Sequence, residues 1–111
     1  MSLPKNILIA LSNPTSIADE EEFNRWYNEN HGPELISLVD GFKSVDRYRL
    51  VEQVAPDGEP KYRYVTIYEI DDPAKASQSL AENGEKLTPP SVVQMDNIIA
   101  TFYENILSLK K

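Results

Sequence analysis

The chain has 111 residues, enough for one domain spanning 1–111 and too few for two. Its 41% hydrophobic and 26% charged residues are the composition of a globular protein, and the lack of cysteine excludes disulfides, thiolate metal sites and a cysteine nucleophile while fitting a reducing cytoplasm. A net charge of −7, with four arginines and seven lysines spread thinly, excludes the basic stripe that a nucleic-acid binder needs.

No apolar run approaches the ~20 residues of a membrane helix, and the start MSLPKN lacks a signal peptide's basic and apolar regions. Lys5 to Ser12 (KNILIALS) reads as a central strand, apolar on both faces and closed by the turn signal Ser12-Asn13-Pro14. Asp19 to Asn30 (DEEEFNRWYNEN) reads as a helix. Asp19 and Glu22 would form a capping box, and the acidic run suits the positive end of the helix dipole. Phe23, Trp26, Tyr27 and Asn30 follow the i, i+3, i+4, i+7 spacing of an inward face, with His31 on its flank. Gly32 is expected to end that helix and Pro33 to start a short second one, Pro33 to Leu38.

After the Asp40-Gly41 turn, Phe42 to Gln53 alternates as a strand. Its two sets are Phe42, Ser44, Asp46, Tyr48, Leu50 and Lys43, Val45, Arg47, Arg49, Val51. A turn at 56–60 leads to Lys61 to Ile70 (KYRYVTIYEI), its antiparallel hairpin partner. Asp72-Pro73 opens a helix over Pro73 to Glu82, ended by Asn83-Gly84, and Val92 to Ile106 supplies a last strand. The order β-α-β-β-α-β is α+β and ferredoxin-like: a four-stranded antiparallel sheet with its helices on one face. Yet both faces carry apolar side chains. Tyr62, Tyr64, Tyr68 and Ile70 oppose Val65 and Ile67, and Ile98, Ala100 and Phe102 oppose Ile99, Thr101 and Tyr103. Two sheets meeting face to face across a two-fold axis would cover the second patch, so a homodimer is expected.

Phe23 to Val51 (FNRWYNENHGPELISLVDGFKSVDRYRLV) resembles the motif of EthD-like proteins of the dimeric α+β barrel superfamily. The shared features are a Trp-Tyr pair, a histidine four or five residues on, a proline two after it, a Gly-Phe and an Arg-Tyr strand. Tyr62 to Pro73 is similar to the family's strand-to-helix passage. The resemblance implies a ferredoxin-like domain that dimerises into a barrel. Its implication for activity is loose, because the superfamily spans cofactor-free monooxygenases, a methylmuconolactone isomerase, polyketide cyclases and members without assigned activity.

His31 is the one side chain that ordinarily titrates near neutrality, so it is the candidate proton shuttle, a general base or acid. The resemblance places this histidine beside the cleft between helices and sheet; otherwise it would only hydrogen-bond a carbonyl at a helix end. Trp26, Tyr27, Asn30, Tyr64 and Tyr68 are the candidate binding residues for a small apolar or aromatic molecule, although a tryptophan at the Trp26 position is more often core than ligand platform. Alternation does not say whether the tyrosines face the cleft or a partner sheet. One histidine without cysteine argues against a metal site, and a haem would need His31 as its axial ligand, so no cofactor is expected. The glycines at 32, 41, 58 and 84 form no phosphate loop, and no nucleophile elbow is present. Two functions remain open: cofactor-free isomerase, cyclase, lyase or oxygenase chemistry at His31, or a non-catalytic binding or assembly module.

Overall fold

A computed structural model of the protein describes residues 4–111; residues 1–3, which begin the MSLPKN start, lie outside the described residues. Along the chain run β1 (Asn6–Ser12), α1 (Glu20–Trp26), a π-helical turn (Tyr27–His31), α2 (Gly32–Leu38), β2 (Phe42–Arg49), β3 (Tyr64–Ile70), α3 (Pro73–Asn83) and β4 (Ile99–Glu104). The strands form one antiparallel sheet in the order β2-β3-β1-β4, the expected ferredoxin-like α+β topology.

Register decides which strand set meets the helices. Leu8 lies opposite Tyr68 and Phe102, and Ala10 opposite Thr66 and Ala100. Leu8, Ala10, Tyr68 and Ile70 pack with Leu35 of α2 and Ala76 of α3, so this is the covered face. Tyr64 and Tyr68 therefore point toward the helices. In β2 strict alternation fails. A bulge between Phe42 and Ser44 moves Phe42 from the Ser44 set to the side of Val45, Arg47 and Arg49, where it packs edge-on against Tyr68.

Several boundaries differ from the expected ones, each for a local reason. Asp19 does not cap α1; its carboxylate accepts from the Thr15 and Ser16 hydroxyls at 2.6 and 2.8 Å, and a 3-10 turn over Ile17–Asp19 leads into the helix. Asp72 does cap α3, accepting from the Ala74 and Lys75 amides. The hairpin strands are shorter than the alternation suggests, the last link beyond β2 being Leu50 N–H to Arg63 C=O. The expected strand over Val92 to Ile106 is strand only at Ile99–Glu104. Val92 takes a left-handed backbone (φ 50°), which turns Val93 inward to bridge Pro14, and a 3-10 turn over Met95–Asn97 follows.

Burial forms two clusters on the covered face. One joins β1, β2, β3, α2 and α3 through residues such as Leu8, Phe42, Tyr68, Leu35 and Ala76. The other gathers Phe23, Trp26, Tyr27, Tyr64 and Val93. Among the described residues no helix covers the opposite face. There Ile7, Ile9, Leu11, Val65 and Ile67 are half-buried while Tyr48, Ile99 and Tyr103 stand exposed. Among the described residues no helix is long and apolar enough to cross a membrane.

Candidate functional site

The helix does not end at Gly32. Gly32 is itself helical (φ −60°, ψ −57°), and its N–H donates to the Tyr27 carbonyl five residues back, so one π turn joins α1 to α2. Pro33 makes such a turn favourable. A proline has no N–H to donate and its ring crowds the carbonyl four residues before it, a clash that local widening relieves. Gly32 also sits where a Cβ would lie 3.0 Å from the Tyr27 oxygen.

The π turn inserts one residue into the helical count and shifts the inward face by one position. Phe23, Trp26 and Tyr27 are buried as their spacing predicts. Beyond them the stripe passes from Asn30 to His31 and on to buried Leu35. His31 is aimed inward by the π turn, and not by a helix break.

It faces a cavity of about 220 Å³ between the two clusters. Trp26, Tyr27, His31 and Leu35 line its helix side, Leu8, Ala10, Phe42, Tyr68 and Ala100 its sheet side, and Leu80, Pro90, Val93, Met95 and Ile98 complete it. Of the expected site residues, Trp26, Tyr27, His31 and Tyr68 meet here. Asn30 is half-buried outside the lining. Tyr64 also lies outside it, its hydroxyl bonded to the Glu20 carboxylate and accepting from Asn24 Nδ2 at 3.1 Å.

The His31 ring stacks on Trp26 with centroids 4.6 Å apart and planes 21° apart, and meets Tyr27 edge-on at 5.2 Å. Its Nδ1 is buried without a hydrogen-bond partner, as is the Tyr68 hydroxyl, whose residue is 1% exposed. Burial lowers the His31 pKa from 6.5 to about 4; the Glu34 carboxylate opposes this and the Arg47 guanidinium adds to it. The ring is neutral at pH 7. Burial pushes the Tyr68 phenol upward, with Tyr27 adding and Arg47 opposing, so Tyr68 keeps its proton.

Two supporting residues, Arg47 and Thr88, were not apparent from the sequence. Arg47 lies under the π turn with its guanidinium carbon 4.4 Å from the Tyr27 ring centre, and Nη1 donates to Asn28 Oδ1 at 2.7 Å. An alternating charged strand looks solvated on both sides; only the bulge and the register put this arginine against the aromatic helix. Glu34 binds Thr88 twice, accepting from its N–H at 2.8 Å and its hydroxyl at 2.5 Å. Thr88 C=O in turn accepts from the Trp26 indole at 3.4 Å, which ties the 84–90 segment over the site. Among the described residues no group of three His, Cys, Asp or Glu side chains is placed to hold a metal.

A ferredoxin-like α+β domain with a helix-covered apolar cavity and one inward histidine is the class that these features define. The solved structures with this fold include an ethyl tert-butyl ether D (EthD) family protein from Bacillus halodurans C-125 (20% identity, TM-score 0.60, covering 92% of this chain and 99% of that one). An EthD-like protein from Ralstonia eutropha JMP134 aligns at 11% identity and TM-score 0.60 over 96% of this chain and 97% of its own. HapK from Hahella chejuensis aligns at 16% identity and TM-score 0.57, with the same coverage. No protein-family model and no curated protein matches the chain. The EthD-like resemblance carried by Phe23 to Val51 is met by these neighbours, and at such identities the likeness is one of fold.

Proposed function

We propose that the protein is a cytoplasmic homodimeric α+β barrel that binds a small apolar or aromatic molecule between helices and sheet, and that His31 carries cofactor-free chemistry on it. The observation that supports this most is the pair of unpartnered buried polar atoms, His31 Nδ1 and Tyr68 Oη, on residues lining one apolar cavity. Buried polar groups are normally satisfied, and each one left alone costs ~1–3 kcal/mol. A ligand's polar atoms recover that cost, and its ring fills the apolar remainder. A cavity of about 150 Å³ accommodates benzene; 220 Å³ suits a substituted or fused bicyclic ring. A histidine that only finished a helix would have its nitrogen satisfied by the protein, so the accessory-module reading is the weaker.

Trp26 is the only tryptophan and lines the cavity, so its indole N–H gives a single reporter signal. Titration of 2-naphthol is expected to move that signal saturably, and Ala10→Leu, which fills the cavity from the sheet side, is expected to weaken the binding at least tenfold. A signal that does not move, or an Ala10→Leu chain that binds as the parent does, contradicts ligand binding here.

Dimerisation is supported by the uncovered sheet face with its row of isoleucine, leucine, valine and tyrosine side chains. Pairing two such faces would join the β-sheets into a barrel and remove the apolar patch from water.

A further inference from the structure

We infer that the reaction of this site is proton transfer next to the carbonyl of a neutral cyclic ketone, converting keto to enol forms, with His31 taking the proton and Tyr68 holding the oxygen. The inference rests on the ligand-binding reading above and adds to it the reaction and the substrate class. Three observations carry it.

The cavity lining holds one imidazole and two phenols, those of Tyr27 and Tyr68, and no charged side chain. Tyr68, 1% exposed, has a hydroxyl with no partner, and it keeps its proton, so it offers a hydrogen bond to an acceptor such as a carbonyl oxygen. His31 is neutral and offers a lone pair. A carboxylate-bearing ligand would have to enter a lining that is otherwise apolar, whereas a neutral ketone buries its ring there and places one oxygen.

His31 also faces two ways. Besides the cavity it lines an outer groove with Trp26, Leu87, Thr88 and Pro89. A proton captured inside thus has a path to water through the same ring, which a base sealed within the core would lack.

Two charges near the pair act on the intermediate. As the carbon–hydrogen bond breaks, its proton moves to the imidazole. The electron pair forms the carbon–carbon double bond, and the carbonyl π pair moves onto oxygen, where Tyr68 donates to it. The enolate and the imidazolium then sit in a largely apolar site. Glu34 stabilises the imidazolium, and Arg47, whose charge acts on Tyr68, favours the enolate while opposing the imidazolium. The imidazolium then gives its proton to the enolate oxygen, which yields the enol, or back to carbon, which regenerates the ketone; no oxidant, reductant or metal is consumed.

The test uses 2-tetralone, a bicyclic ketone, in D2O, with exchange of its activated methylene protons followed by proton NMR. The full chain is expected to raise the exchange rate at least a hundredfold over buffer. His31→Gln should lose that acceleration while 2-tetralone still moves the Trp26 indole signal, and Tyr68→Phe should lose at least tenfold in rate. Saturable binding of 2-tetralone without accelerated exchange overturns proton transfer and leaves ligand binding standing. Acceleration that survives His31→Gln overturns the assignment of the base. If neither 2-tetralone nor 2-naphthol moves the indole signal, both readings fall.

Discussion

The imidazole of His31 lies almost flat on the indole of Trp26, 4.6 Å between centroids, and both rings line the same cavity. Trp26 is 6% exposed and held at the far side by its indole N–H to the Thr88 carbonyl. The indole therefore fixes the plane in which His31 can present its nitrogens, and it covers one face of the ring.

Replacing Trp26 with alanine should cost ~3–5 kcal/mol of stability, the range for losing a large buried aromatic side chain. Equilibrium denaturation of the variant measures it. The parent's fluorescence should be blue-shifted and resist iodide; a red-shifted emission quenched freely by iodide would contradict the buried indole.

His31 makes stability depend on pH with a definite sign. Unfolded, the ring binds its proton near pH 6.5; folded, it does so only near pH 4. Between these values the unfolded chain holds more protons, so stability should fall as pH drops from about 6.5 to about 4 and level off below. His31→Gln should flatten that segment. The neighbouring charges give two further signs, read from the ring's carbon-bound proton signals. Arg47→Met should raise the midpoint toward 6.5, because a repelling cation is gone, and Glu34→Gln should lower it, because an attracting carboxylate is gone.

The order of elements and the α+β class could be read from the alternation and the caps, because burial on one side of a strand or helix leaves a period in the sequence. Asp72-Pro73 gave the start of α3 for the same reason: the cap is local chemistry. What could not be read were single-residue shifts. The bulge at Phe42–Ser44 and the π turn at Tyr27–His31 each insert one residue, and each reassigns every side chain beyond it. Asn30 was placed inward and His31 on the flank by a strict 3.6 period; the π turn exchanges them. Arg47 was hidden by the same kind of shift in β2. Val92, the first residue of the expected long strand, takes a backbone conformation that a β-branched residue seldom takes, so no propensity announces it.

The uncovered sheet face should pair with its copy and bury ~1,200–2,000 Å² in total. Light scattering at micromolar concentration should return twice the 12.6 kDa chain mass. Replacing Ile67, which sits on the middle of that face, with lysine should return a monomer of unchanged far-ultraviolet circular dichroism. A parent chain that scatters as a monomer would contradict the barrel assembly.

The central claim is that the space between helices and sheet holds a ring whose polar atom meets His31 and Tyr68. A crystal structure of the chain with 2-naphthol, the stable counterpart of a bicyclic enol, tests it most directly. The account expects the fused ring between Trp26 and Ala10, with its hydroxyl within about 3 Å, hydrogen-bond reach, of Tyr68 Oη or His31 Nδ1. A naphthol bound elsewhere on the protein, or one inside the cavity with its hydroxyl turned away from both residues, would contradict it.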